Sequence, residues 1–367
     1  MIYFITPADQ IWIIQNLTDR LDEDVRPSVR PISYHDFYQS RDLVEGTVVF
    51  TGLGVLTYVQ RDIAMEIADQ LTRTDLNFRV MNHPENALGR LDLLTELHEK
   101  GLNSFRAYRL SDISLDEPNF PVFIREEHNH TGTVSDLIND PESLKIAIAE
   151  VQNRGFKIES LLAVEYLDTS DETGLFRKYS VQKFGDKIIP RYLSLDYHWM
   201  VKENSALPDG RELYTDERVQ EEVQFMLESP HEKKLREIFE TACIDFGRID
   251  YSLFNGAVQT WEINTLPTFG SFPGTGKRNP KRKKRDESKQ IFYDLLSRAM
   301  RELIDDAAGK VLTISITGQL RKKISRERRK QTLVDLTLWV GKKMPRIPFL
   351  INLRAFLRRK VRQKKER

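Results

Sequence analysis

Gly247-Arg248-Ile249-Asp250-Tyr251-Ser252-Leu253-Phe254, Asn255-Gly256-Ala257, Val258-Gln259-Thr260-Trp261-Glu262-Ile263-Asn264 is the stretch on which the fold turns. Two β-like runs flank an Asn-Gly pair, a strong short-range hairpin signal. A two-residue turn would pair Phe254 with Ala257 and set Asp250 opposite Trp261. A three-residue loop pairs Phe254 with Val258, and Asp250 then faces Glu262. Only the second register sorts the side chains, so the three-residue loop is expected. Ile249, Tyr251, Leu253, Trp261 and Ile263 then share one face. Arg248, Asp250, Ser252, Thr260, Glu262 and Asn264 share the other. Carboxylates facing each other on adjacent strands repel unless a cation lies between them. Two carboxylates with a carboxamide are hard oxygen ligands suited to Mg²⁺, which commonly keeps places for water and phosphate.

The chain around this hairpin has 367 residues, one cysteine and a net charge of +1, enough for two or three compact units. A single cysteine, Cys243, excludes an internal disulfide and points to a reducing compartment; it is expected on the buried side of a helix. The N-terminus lacks a basic leader, and no run approaches the roughly 18 apolar residues of a membrane span. A cytoplasmic protein is expected. Charge divides the chain: residues 318–367 carry 18 Lys/Arg and 3 Asp/Glu, leaving −14 for the other 317. An acidic body and a basic extension are separate physical objects.

Residues 1–80 alternate strand-like runs with helical patterns, an α/β unit. Thr51-Gly52-Leu53-Gly54 after a β-branched run reads as a tight turn, since a dinucleotide fingerprint would need a third glycine. Helices are predicted over Asp9–Leu21, Leu88–Lys100, Pro141–Arg154, Arg218–Leu227, Glu232–Cys243 and Glu287–Ala308. Strands are predicted over Pro121–Arg125 and Leu161–Leu167, and a second hairpin closes around Gly185-Asp186. Lys277–Arg285, with seven basic residues in nine, is expected to be a solvated loop.

Gly-Arg-Ile-Asp-x(11)-Glu-Ile-Asn-Thr-x-Pro resembles the metal-binding end of the ATP-grasp superfamily, which includes D-alanine–D-alanine ligases and ribosomal-protein glutamate ligases. The resemblance implies an α/β (α+β) fold: an N-terminal α/β domain (1–80), an ATP-grasp domain (81–309) and a basic helical extension (310–367). The central lid would span about 120–200 and the metal-binding part 201–309. It makes Asp250, Glu262 and Asn264 metal ligands for Mg²⁺, with Mn²⁺ as substitute, and Arg248 a stabiliser of the reacting phosphoryl group. It places Arg90 and Arg125 where the family has phosphate-binding lysines, Glu165 and Leu167 at adenine, and Asp168 at ribose. Arg191 becomes a catalytic cation and Lys202 a phosphate contact. Arginine in place of lysine keeps its charge and binds phosphate bidentately.

The activity so implied is ATP-dependent ligation, a carboxylate being activated as an acylphosphate for attack by an amine or other nucleophile. The substrate would be a small-molecule or peptide carboxylate, and Arg106, Arg109 and Arg191 could receive an anionic group. A kinase-like phosphotransferase and a non-catalytic scaffold acting through the basic tail are the alternatives. His128 and His130 stand in the loop where small residues are usual. Loop structure or substrate contact is the expected role, ahead of zinc, because two ligands do not make a site. In the extension, Phe349, Leu350, Leu353, Phe356 and Leu357 share one helical face with arginines around it. Three roles stay open for residues 349–362, in this order: docking on the acidic body or on a second subunit as a homodimer, an anionic membrane surface at the inner face, and nucleic acid.

Overall fold

A computed structural model describes residues 1–39, 42–129, 132–201, 213–270, 285–304, 309–314, 318–327 and 329. The α/β expectation holds. The N-terminal unit is a parallel sheet of β1 (Ile2–Thr6), β2 (Val29–Ser33), β4 (Gly46–Phe50) and β5 (Phe78–Met81), in the order β2-β1-β4-β5. Parallel neighbours need crossovers, supplied by α1 (Ile11–Thr18), the single turn α2 (Tyr34–Phe37) and α3 (Tyr58–Arg73). A capping box starts α3, Thr57 and Gln60 satisfying each other's backbone N–H groups. The short β3 (Asp42–Val44) stands apart from this sheet.

Next come α4 (Arg90–Glu99), β6 (Ala107–Arg109), β7 (Val122–Glu126), α5 (Pro141–Asn153) and β8 (Leu161–Glu165). Their antiparallel sheet has the order β6-β8-β7. Both faces are apolar: Val122, Ile124, Leu161 and Ala163 form one core with α5 residues, while Phe123, Leu162 and Val164 form another with Phe105 and Trp261.

The third sheet carries the opening hairpin. It runs β10 (Lys187–Asp196), β9 (Phe176–Phe184), β11 (Phe246–Phe254), β12 (Ala257–Asn264), all antiparallel. Helices α6 (Asp216–Glu228), α7 (Glu232–Thr241) and α8 (Asp286–Ile304) accompany it. The lid was expected to extend to residue 200, but β9 and β10 belong to this sheet, so the smaller sheet ends near Glu165. Hydrogen bonding along β9–β11 decides the matter, with Ile249 opposite Val181 and Asp250 opposite Ser180.

One core joins the first and third units. Asn82, fully buried, fastens them: its Nδ2 donates to the carbonyls of Phe50 (2.9 Å) and Phe246 (2.7 Å), and its Oδ1 accepts from the N–H groups of Asp245 (2.8 Å) and Phe246 (3.0 Å).

Two expectations change here. The extension was to begin at 310, yet β13 (Val311–Thr313) pairs antiparallel with β3, and Ile314 and Leu320 are buried in the main core. Lys323 reaches Asp62 at 2.6 Å and also Glu66, both on α3. Residues 309–314 and 318–327 are therefore part of the body. Cys243 is exposed, because α7 ends at Thr241 and the chain turns through a left-handed residue (φ 53°) at the cysteine. Residues 349–362, Lys202, His130 and most of Lys277–Arg285 lie outside the described residues. Among the described residues no helix is long and apolar enough to cross a membrane.

Candidate active site

The hairpin forms, with a different turn from the one expected. Phe254 pairs with Ala257, so the loop has two residues, Asn255 (φ 50°) and Gly256 (φ 77°). Left-handed backbone at both central positions is what a type I′ turn requires. Leu253 faces Val258 and Tyr251 faces Thr260. The register then shifts: Trp261 is an extra residue, and beyond it Asp250 pairs with Glu262, Ile249 with Ile263 and Arg248 with Asn264. This β-bulge restores the facing carboxylates that the three-residue loop was invoked to provide. It also exchanges two side chains. Thr260 joins Tyr251 on the core face, fully buried. Trp261 turns to the other side, where its Nε1 donates to Ser252 Oγ (3.0 Å) and its ring stacks on Phe105 at 4.7 Å. Gly247 precedes Arg248 because a Cβ there would lie 2.9 Å from Ile263 Cγ2.

On the front of the hairpin each carboxylate meets arginine. Asp250 accepts from Arg248 Nη2 (2.9 Å) and from Ser180 Oγ (2.6 Å) on the neighbouring β9. Glu262 accepts from Arg125 Nη2 (2.9 Å), which comes from β7, and from Arg90 Nη2 at the first position of α4. Arg90 reaches further: its Nη1 donates to the carbonyls of Glu126 (2.8 Å), Glu127 (2.6 Å) and Asn129 (3.0 Å). One guanidinium thus joins the loop after β7 to the hairpin. Burial pulls the Arg90 pKa down to about 10, against the pull of Glu262. Burial is the largest single influence on Arg248 and would lower its pKa, but Asp250, Tyr192 and Glu262 together outweigh it and the net shift is upward. Arg90 and Arg248 both remain charged at neutral pH.

Arg191 sits at a second bulge, between Pro190 and Tyr192 on β10. It is 8% exposed and caged by aromatic rings, 4.6 Å from the Phe269 centroid and 5.3 Å from that of Phe292. Its Nη2 donates to the Thr268 carbonyl, while its buried Nη1 has no partner among the described residues. Burial lowers its pKa, as does neighbouring Arg248. A buried cation with an open donor beside a second arginine is suited to an anion.

The remaining predicted residues are placed as follows. Asn264 is buried, and its Oδ1 accepts from Leu266 N (2.8 Å), closing a local turn. Glu165 is buried on the strand face it shares with Leu161 and Ala163, away from Arg125. Its carboxylate accepts from Arg106 N (2.9 Å), Tyr108 Oη (2.9 Å), Asn119 N (2.8 Å) and Asn119 Nδ2 (3.1 Å). The side chain expected at adenine is engaged by the protein itself. Leu167 packs with Tyr166 and Trp199 on the side of Trp261. Asp168 is exposed and caps its own turn, accepting from Ser170 N (3.0 Å) and Oγ (2.7 Å). Arg109 pairs with Glu127 at 2.8 Å, and Arg106 Nε donates to His98 (2.7 Å). His128 lies beside Glu127 (3.6 Å) and close to Gly54, its pKa lowered by burial and by Arg90, Arg109 and Arg61.

Sequence reasoning missed three supports of the site. Ser180 carries no motif and is found only through the β9–β11 register. Asn103 closes the outer edge of β12, donating to the Thr260 carbonyl (2.9 Å) and accepting from Thr260 N (2.8 Å). Glu222 and Arg285 form a buried pair that also binds the N–H and carbonyl of Leu193. A separate groove of about 450 Å³ between α4 and β6 is lined by Asp92, Glu96, Asp112 and Glu117. That acidic lining is the wrong sign for phosphate, so the arginine cluster is the better anion site.

No protein-family model matches the chain, and none of the curated proteins matches it. Among solved structures it is similar to the D-alanine–D-alanine ligase from Bacillus anthracis, at 15% identity and TM-score 0.45, covering 83% of this chain and 99% of that one. It is similar to the D-alanine–D-alanine ligase from Coxiella burnetii at 13% identity and TM-score 0.44, covering 91% and 98% respectively. A RimK domain ATP-grasp protein from Sphaerobacter thermophilus is matched at 10% identity and TM-score 0.42, covering 80% and 98%.

Proposed function

We propose that the chain is an ATP-grasp ligase that uses Mg²⁺-bound ATP to activate a carboxylate as an acylphosphate for attack by an amine or other nucleophile. The observation that carries this reading is the meeting of Asp250 and Glu262 across one register pair, with Arg90, Arg125 and Arg248 converging on them from α4, β7 and β11. The donor set fits the metal: two carboxylates side by side on rigid strands offer hard oxygens, and the surrounding arginines suit the phosphates that accompany it. Asp250 and Glu262 would hold Mg²⁺, with Asn264 beside them once its oxygen leaves the Leu266 N–H. Bound there, the metal nucleotide would supply the transferable phosphoryl group.

The chain's own residues do the rest. Arg90, through Nη2, and Arg125 bind phosphate oxygens, while Arg90 Nη1 keeps hold of the loop at 126–129. Arg248, fixed by Asp250, presents positive charge where negative charge develops on the transferred group. Arg191, with its open Nη1, receives an anionic oxygen of phosphate or substrate. Positioning and charge are sufficient for phosphoryl transfer, so no side-chain nucleophile is required.

The test is ADP release against a panel of carboxylic acids, with hydroxylamine present as a trap. A ligase releases ADP only with its acid and yields a hydroxamate. Acid-dependent ADP release without hydroxamate indicates the kinase-like alternative, and no thermal shift with an ATP analogue and Mg²⁺ indicates the scaffold.

A further inference from the structure

We infer that Arg90 and Arg125 are displaceable counter-ions of Glu262, so that the hairpin admits a divalent cation only in company with a polyphosphate. The inference rests on the metal–nucleotide reading above and concerns how that site is gated. Without ligand, the carboxylates of Asp250 and Glu262 already face the guanidinium groups of Arg90, Arg125 and Arg248. Arg109 and Glu127 nearby pair with each other and do not change the balance. Among the described residues the local charge is therefore positive before any metal arrives. A free cation would have to displace guanidinium groups and then remain beside them, and repulsion at such distances in a partly buried site is strong.

A polyphosphate reverses the balance. Its oxygens compete with Glu262 for Arg125 Nη2 and Arg90 Nη2, leaving the glutamate open to the cation carried by the same phosphates. The fork of Arg90 allows this without releasing the loop. Its Nη1 stays on the carbonyls of Glu126, Glu127 and Asn129 while only Nη2 changes partner. A lysine ammonium gathers its three donors on one atom, whereas the two Nη groups of Arg90 separate loop binding from ligand exchange. Arg90 thus links cation entry to polyphosphate, with Arg125 as the second displaceable partner of Glu262.

Equilibrium dialysis of Mn²⁺ against the full chain tests this, with no nucleotide, with AMP and with ADP. The expected result is retention by wild type at least about tenfold greater with ADP than with AMP or with Mn²⁺ alone, reflecting the charge reversal. The Arg90→Gln/Arg125→Gln double variant should retain Mn²⁺ without nucleotide. If that variant does not give a cooperative melt, Arg125→Gln, which frees no loop carbonyl, is read in its place. Wild-type retention of Mn²⁺ alone, abolished by Glu262→Gln, would overturn the inference and leave the metal–nucleotide function standing. Equal retention with AMP would overturn the polyphosphate requirement. A folded arginine variant that still retains no Mn²⁺ alone would overturn the counter-ion role. No retention by wild type even with ADP would defeat the metal–nucleotide reading, and the inference with it.

Discussion

Glu262 and Glu165 are both strand-borne and both buried, at 9% and 3% exposure, yet they are held in opposite ways. Glu165 is surrounded by neutral donors: two backbone N–H groups, a phenol and a carboxamide. Glu262 is held by two guanidinium groups at the ends of long side chains from separate elements. The backbone donors, on Arg106 before β6 and Asn119 before β7, can leave only if the chain itself moves. Arginines can turn to another anion at the cost of a rotamer change. A buried carboxylate among fixed neutral donors is therefore architecture, while one among movable cations can exchange them for a ligand.

The largest expected effect that would sharpen this contrast is at Glu262. Glu262→Gln should abolish ADP-dependent Mn²⁺ retention and lower ADP formation by at least about 10³-fold, the scale of losing a catalytic metal ligand. Normal turnover in that variant would reduce the glutamate to an ion-pair anchor. Glu165→Gln should act on stability, costing about 2–3 kcal/mol by chemical denaturation, because a buried carboxylate with several donors becomes an amide facing them. Its second signature is spectroscopic. Tyr108 is raised to about 12 by burial and by its bond to Glu165, so the ultraviolet titration of that phenol should fall back toward its ordinary value. Loss of nucleotide affinity without loss of stability would instead return Glu165 to the adenine site.

The smallest effect concerns His231, which shares a 2.9 Å hydrogen bond with the buried Tyr251 and whose pKa burial lowers from 6.5. Above 6.5 the ring is neutral in both folded and unfolded chains and contributes no pH dependence. As pH falls through 6.5 the unfolded chain takes up the proton first, and stability declines until the folded pKa is passed. His231→Gln should flatten that part of the stability–pH curve. An unchanged slope would assign the acid sensitivity elsewhere.

Local signals located most elements well. The predicted helix Pro141–Arg154 is observed at Pro141–Asn153, with Asp140 capping it through Ser143 N. The predicted hairpin around Gly185-Asp186 is also present. Glu165 was harder to orient because β8 is buried on both faces and shows no polar alternation. Cys243 was misplaced because the helical pattern continues past the residue where the backbone turns left-handed. The start of the extension was masked by its own charge, since Lys323 lies in a basic run although it pairs with α3.

The sequence by itself determined that Asp250 faces Glu262, because amphipathic sorting favours that pairing at the site end of the hairpin, although the outer half pairs in the other register. It did not determine how. The turn obeys the local preference of Asn-Gly for two left-handed residues, and the discrepancy of one residue is absorbed at Trp261. That position is settled by Phe105, which stacks on the indole, and by Asn103 and Ser252, which bind around it. Turn type is a short-range property written in two residues. The bulge, the arginines that reach Glu262 from α4 and β7, and the donors around Glu165 depend on chain segments distant in sequence, so only the tertiary structure decided them.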